Sequence, residues 1–306
     1  MHAAALQGHV CRFVHGAPDA RIVGDDGGWA AHLPLRVLGG TPSLPLPLAA
    51  GEVFVEGPVH GVRGADGSVA GFLLVPAAVP SGLEAAAADA YTALFSALGA
   101  ASVCRVWNFV PGINDCHDGQ ENYWRFNAGR RNAFEERFGP SRCEAHMPAA
   151  SAVGWEVPLL FVAFLGTTKP VRFVENPHQV PAYRYPGRYG PRPPSFSRGA
   201  AVGDPPQLGF LSGTASIQGH GTVGVGDLRV QVGVTLGNME AVMRETGLAR
   251  CESIKGYVRH EADAGAVREA LAARFGARGA DALLLQADIG RPDLDVEIEA
   301  ILAAGS

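Results

Sequence analysis

The chain carries the same order of local signals twice, about 137 residues apart. In the first copy, Ser81-Gly82-Leu83-Glu84 reads as a capping box opening a helix. Leu83, Leu94, Phe95 and Leu98 lie on one stripe of that helix, and Gly99 stops it. A strand, Ser102 to Val110, is ended by Pro111-Gly112, and a helix from about Glu121 to Phe138 is ended by Gly139-Pro140. In the second copy a helix around Asn238 to Glu245 stops at Gly247, and the strand Ser253 to Arg259 follows. A helix capped by Asp263 then reaches Arg274-Phe275-Gly276, matching Arg137-Phe138-Gly139 of the first copy. Element order, stop glycine and tripeptide together point to a duplicated α/β unit. With 306 residues there is room for two units of about 150 each. The expected division is 1–150 and 151–306.

Several function classes are excluded early. A net charge of −5 argues against a dedicated nucleic-acid binder, which needs a dense cationic face. No window of about 20 apolar residues is present to span a membrane, and Met1 to Gln7 lacks the pattern of a signal peptide. Cys11, Cys104, Cys116, Cys143 and Cys251 are scattered without CxxC spacing, so neither a disulfide framework nor a structural zinc site is expected. A cytoplasmic, reduced setting is the expectation. Asp115-Cys116-His117-Asp118 has no partner cluster and reads as a polar loop, with no metal. Gly219-His220-Gly221 and Gly224-Val225-Gly226 lack the strand-to-helix setting of a dinucleotide loop, so no cofactor is expected. Residues 1 to about 50 read as irregular extended chain.

Four stretches could carry chemistry. On the helix from Glu121, Tyr123, Phe126, Arg130, Phe134 and Phe138 share one face. Arg130 must therefore snorkel, pair with an internal carboxylate, or clamp a substrate carboxylate, because an unpaired buried charge is strongly penalised. Arg125 and Arg131 point elsewhere and are expected to be solvated or tied to loops. Near the C-terminus, strand alternation puts Val296, Ile298 and Ala300 on one face and Asp295, Glu297 and Glu299 on the other. Such a row is either the wet side of a sheet or, where like charge and burial raise a carboxyl pKa, a source of a general acid. The strand Phe210 to Ile217 has small residues at its centre, for tight packing or for close approach of a ligand. Between the copies, Pro177 to Pro206 carries Arg184, Arg188, Arg192 and Arg198 with Tyr183, Tyr185 and Tyr189. It is either a plain connector or a grip for a planar anion. Lysine occurs only at Lys169 and Lys255, so nearly all positive charge is arginine, which binds carboxylates bidentately.

The run Arg105-Val106-Trp107-Asn108-Phe109-Val110-Pro111-Gly112-Ile113-Asn114, then Tyr123-Trp124-Arg125-Phe126-Asn127-Ala128-Gly129-Arg130, resembles the chorismatases. Tyr189-Gly190-Pro191-Arg192, Pro194-Ser195-Phe196-Ser197-Arg198, Ser212-Gly213-Thr214-Ala215-Ser216, and Asp288 to Leu294 leading into Val296-Glu297-Ile298-Glu299 continue the resemblance in the family's order. The C-terminal half is also similar to the small trimeric RidA (YjgF) enzymes. The resemblance implies two RidA-like, chorismate-mutase-like sheet-plus-helices domains fused in one chain. It implies chorismate as substrate, with release of pyruvate and no metal or organic cofactor. By resemblance Glu297 protonates the enol ether methylene, and Glu299 is a supporting group or a structural one. Arg130, Arg192 and Arg198 are the implied carboxylate clamps, with Tyr189 beside them, and Gly213, Thr214, Ser216 and Gly290 are implied near the substrate. Gly213 fits a hydroxybenzoate former, whereas Gly290 stands where the family's 3-hydroxybenzoate formers carry Cys. The missing thiol counts against 3-hydroxybenzoate and leaves 4-hydroxybenzoate or the hydrolysis product open. A hydroxybenzoate, 3- or 4-, is the expected product, with hydrolysis to a dihydroxycyclohexadiene carboxylate as the alternative. An imine deaminase and a non-catalytic aromatic-acid-binding module are the competing readings. The assembly is expected to be a monomer or a homotrimer, without nucleic-acid or membrane partners.

Overall fold

The computed structural model of this protein describes residues 11–25 and 27–305. It begins with five short strands, β1 (Arg12–His15), β2 (Arg21–Asp25), β3 (Gly28–Leu33), β4 (Val37–Gly39) and β5 (Ser43–Pro45). The order β2-β3-β1-β5 makes a small sheet, so this part of the chain is regular where irregular chain was expected. The strands are three to six residues long, too brief for their alternation to stand out, yet Phe13, Ala31 and Leu33 are fully buried.

The first half continues with β6 (Gly51–Glu56), β7 (Val59–Gly64), β8 (Ser68–Pro76), α1 (Leu83–Leu98) and β9 (Ser102–Pro111). A small hairpin, β10 (Cys116–His117) and β11 (Gln120–Glu121), leads into α2 (Asn122–Phe138), β12 (Ala149–Trp155) and β13 (Leu159–Thr167). The second half holds β14 (Val171–Val174), β15 (Gly199–Val202), β16 (Leu208–Ala215) and the hairpin β17 (Ile217–Gln218) with β18 (Gly221–Thr222). It ends with α3 (Leu228–Thr246), β19 (Arg250–Val258), α4 (Ala264–Phe275), α5 (Ala277–Ala280), β20 (Leu283–Gln286) and β21 (Val296–Ala303).

The two large sheets have one topology. The first runs β12-β9-β13-β8-β7-β6 and the second β20-β19-β21-β16-β15-β14, with β4 added beyond β20. In each, a helix-linked pair is parallel (β12 with β9, β20 with β19) and the last strand inserts antiparallel beside it. The duplication read from the sequence is thus present in space. Strands of the first sheet run on to Thr167 and those of the second begin at Val171, and we propose that the units divide between them.

The layers are helices, sheet, sheet, helices. Leu160, Val162 and Phe164 of β13 pack against α1 and α2, and Val296, Ile298, Ala300 and Leu302 of β21 pack against α3 and α4. The inner faces meet in a shared core with Trp107, Phe109, Phe161, Phe210 and Tyr257. The α2 stripe is real, with Phe126 and Phe134 fully buried against α1. Three local expectations fail. Gly82, not Ser81, caps α1, and no side chain bonds there, so the capping box is not formed. The helix expected from Asn238 begins ten residues earlier, where Asp227 accepts from the Val230 amide. Arg131 is buried and ion-paired with Glu135 at 2.8 Å rather than solvated. Among the described residues no helix is long and apolar enough to cross a membrane.

Candidate active site

Strand alternation sets up the site. Residues 296, 298 and 300 of β21 face the helices, so Glu297 and Glu299 face the seam between the sheets, and both are buried. This is not the wet side of a sheet. Glu299 is held by donors from three strands: Arg105 at 2.6 Å and Trp107 Nε1 at 2.7 Å from β9, Ser151 from β12, and Lys255 at 2.8 Å from β19. The Tyr257 hydroxyl adds a longer contact at 3.4 Å. Burial alone would raise the Glu299 pKa, but Lys255 and Arg105 outweigh it and hold the carboxyl at about 2.

Glu297 has the opposite surroundings. Its Oε1 is buried and has no hydrogen-bond partner among the described residues. Burial pushes its pKa up to about 8, and the Glu299 charge two residues on adds to that, against the pull of Arg105 and Arg198. At neutral pH the strand therefore presents one protonated and one ionised carboxyl, a division of roles typical of acid catalysis.

Glu297 opens onto a cavity of about 270 Å³. Beside the two carboxyls β16 is bulged: Leu211 pairs with Ala300 and Thr214 with Ile298, so Ser212 and Gly213 together oppose the single residue Glu299, while Ala215 pairs with Glu297. A Cβ on Gly213 would lie 1.8 Å from Glu297 Oε1, so glycine lets the carboxyl stand where it does, and a side chain there would displace it. The bulge is tied down by Ser212 Oγ, which donates to the Ser197 carbonyl at 2.5 Å and accepts from the Ala150 amide at 2.9 Å.

The Pro/Tyr/Arg-rich stretch forms a wall of the cavity through Tyr185, Arg188, Tyr189, Pro194, Phe196 and Arg198. The plain-connector reading of this segment fails. Arg198 is buried and donates to the Tyr185 hydroxyl at 2.6 Å and the Val180 carbonyl at 3.3 Å. Arg291, on the loop before β21, lies 4.0 Å over the Tyr189 ring and donates to the His220 carbonyl at 2.9 Å. Arg188 contacts the His220 ring at 2.8 Å. Among the described residues the side chains of these three arginines have neutral hydrogen-bond partners and no ion pair, although the charge of Arg198 also acts on the buried Glu175 carboxyl. Glu121 and Asp293 also line the cavity, and burial and the Asp293 charge push the Glu121 pKa up.

Of the site residues that the resemblance implies, Glu297, Tyr189, Arg198, Gly213 and Gly290 line one cavity. The others stand outside it. Arg192 is spent on Glu135 at 2.6 Å and Asn132 at 3.0 Å. Arg130 is 1% exposed behind Tyr123, bonded to Asn127 Oδ1 at 2.8 Å, with its guanidinium 4.9 Å from the Phe126 ring centroid. Its expected anionic partner is absent among the described residues, and the amide of Asn127 serves instead. Thr214 Oγ1 bonds the Ser212 carbonyl and Ser216 Oγ the Val223 carbonyl, both structural contacts. Glu299 lies beneath the cavity in its cage. Three further cavity residues belong to stretches singled out above without being assigned to the site: Tyr123 at the head of the α2 stripe, its neighbour Trp124, and Arg291 beside Gly290.

Comparison with known proteins bears on this arrangement. Residues 51–166 match the family model described as chorismatase FkbO/Hyg5-like, N-terminal. A protein named chorismatase from Streptomyces rapamycinicus is 39% identical over 254 residues, covering 76% of this chain and 75% of that one. A protein named 3-hydroxybenzoate synthase from Streptomyces hygroscopicus is 39% identical over 236 residues, covering 70% and 68%. A crystal structure of a chorismatase superposes with a TM-score of 0.82 at 31% identity, over 98% of this chain and 96% of that one.

Proposed function

The chain belongs to the chorismatase family, and on that footing we propose that it cleaves the enolpyruvyl ether of chorismate to pyruvate and a hydroxybenzoate. The observation that carries the reading is a buried carboxyl with an unpartnered oxygen facing a cavity whose arginines, among the described residues, form no ion pair. A dianion supplies what those arginines are missing. Chorismate's ionised carboxylates and its ether accept hydrogen bonds only, so Arg198, Arg291 and Arg188 suit its charged ends. Its ring hydroxyl is its one donor, and Asp293 and Glu121 are the acceptors offered to it.

The chemistry follows from the state of Glu297. An enol ether resists cleavage until its methylene carbon is protonated. Glu297 gives its proton to that carbon, the π pair forms the new C–H bond, and an oxocarbenium ion remains. Its carbon is then open to the ring hydroxyl or to water. With the hydroxyl as nucleophile, its O–H proton passes to the Glu297 carboxylate as a cyclic ketal closes. That proton then goes to one ketal oxygen as its bond to the ring breaks, and loss of the C–H proton of the other oxygen-bearing ring carbon gives the aromatic ring. Collapse of the adduct frees pyruvate, and the ring proton restores Glu297. Glu299, fixed as an anion beneath the acid, favours the protonated form of Glu297 and stabilises the developing cation. Arg130 backs Tyr123 rather than gripping substrate, and Arg192 braces α2.

The assembly is proposed to be a monomer or a homotrimer, and the free buried thiols of Cys11, Cys104 and Cys143 support a cytoplasmic setting. The test is incubation of the purified protein with chorismate, with pyruvate followed by a coupled assay and the ring product identified by chromatography. Stoichiometric pyruvate and a hydroxybenzoate are expected. Ammonia release from enamines without pyruvate from chorismate, or binding without turnover, would replace this reading.

A further inference from the structure

Arg259, at the end of β19, does not line the cavity, yet it uses its whole guanidinium on the loop that does. Nε donates to the Leu294 carbonyl at 2.9 Å. Nη1 donates to Asp288 and to Asn114 Oδ1, the latter at 3.2 Å. Nη2 donates to the Arg291 carbonyl at 3.0 Å and the Ile289 carbonyl at 3.4 Å. A guanidinium is the one side chain that can fan five N–H groups toward so many acceptors in fixed directions. The loop is also pinned from the first half: Asn114 Nδ2 donates to the Ile289 carbonyl at 3.0 Å, the Gly154 amide to the Asp288 carbonyl at 2.7 Å, and Ile289 bridges Val153.

We propose that Arg259 is a positioning residue for the cleavage reaction: its clamp on residues 288–294, where the two halves meet, fixes the direction in which Arg291 points into the cavity. The backbone it holds leads one way to Arg291 and the other to Glu297. Glu297 is anchored independently, by the β21 ladder with β16 and β19. Arg291 has no such ladder. Among the described residues its side chain is held by the His220 carbonyl, Thr222 and the rings of Tyr185 and Tyr189, so its aim depends on where its own carbonyl is pinned. Loosening the clamp should weaken the grip on a substrate carboxylate while leaving the acid in place. The loss belongs in KM rather than kcat.

This rests on the activity proposed above, and a double-mutant cycle separates the two. Arg259→Lys keeps the charge and loses the fork, and Arg291→Gln removes the grip. Each is expected to raise KM for chorismate about tenfold or more, the worth of a charge-assisted hydrogen bond, with kcat little changed. The double variant is expected to be no worse than Arg291→Gln alone. A folded Arg259→Lys with unchanged KM, or a double variant whose KM rise is the product of the two, overturns the proposal. If Arg259→Lys does not fold, Asn114→Ala replaces it in the cycle with the same two sets of outcomes. A wild-type protein that releases no pyruvate refutes the activity, and the cycle is then read as Kd for chorismate by calorimetry, coupling supporting the clamp and additivity overturning it.

Discussion

β13 and β21 occupy the same place in the two sheets but turn different residues toward the seam between them. β13 presents Phe161, Ala163 and Leu165, all buried in the shared core. β21 presents Glu297 and Glu299 before returning to Ile301. Since one copy of the fold packs this position with apolar side chains, the carboxyls of the other are not needed to build the sheet. They also demand compensation, in the form of Arg105 and Lys255 buried beside Glu299. A buried ion pair is poor evidence for stability and better evidence for a task. In the first half this position serves as packing, and that half lends Arg105, Trp107 and Ser151 to the Glu299 cage and Glu121, Tyr123 and Trp124 to the cavity.

The sharpest way to break this contrast is to disable the acid alone. Glu297→Gln keeps shape and burial but has no proton to give, and pyruvate release is expected to fall about 10³- to 10⁴-fold with the unfolding midpoint unchanged. Retention of more than a tenth of the rate would move the acid elsewhere. Next in size is making β21 resemble β13. Glu299→Leu strands Arg105 and Lys255 without an anion, and a loss of about 3–5 kcal/mol is expected in denaturant unfolding. Part of it should return when Lys255→Met is added. A loss within experimental error would mean that the cage is held by something other than charge. The smallest effect is expected for Arg192→Gln. Because Arg192 is occupied by Glu135, KM and kcat should stay within about twofold, as for a partly exposed ion pair. A tenfold rise in KM would put Arg192 back among the substrate clamps.

Much of this was legible in the sequence because it is periodic. The helix stripe of α2, the alternation of β21 and the repeated order of elements follow from spacings of 3.6 and 2, which survive in one dimension. Which arginines face the cavity does not. Arg192 and Arg291 both belong to stretches resembling the family, and their roles are decided by which acceptors lie within reach in space. Glu135 shows the problem well. Its spacing from Arg131 announces one ion pair, but nothing announces that its other oxygen takes Arg192, 57 residues away. The Pro177 to Pro206 stretch was equally opaque, since short 3₁₀ turns at Ala182–Arg184 and Gly187–Tyr189 carry no periodic signal. The first strands fail to announce themselves for the same reason.

At the centre stands the claim that Glu297 is neutral at working pH because it is buried beside an ionised Glu299. Its raised pKa means that the competent, protonated form is present below about pH 8 and is lost as pH rises through that value. The most direct test is the pH dependence of kcat/KM for chorismate between pH 5 and 10, over which the substrate remains a dianion. The expected profile is level on the acid side and falls tenfold per pH unit above about 8, through the loss of one proton. A rate that rises between pH 5 and 7, or that stays level to pH 10, would contradict a neutral Glu297 as the proton donor.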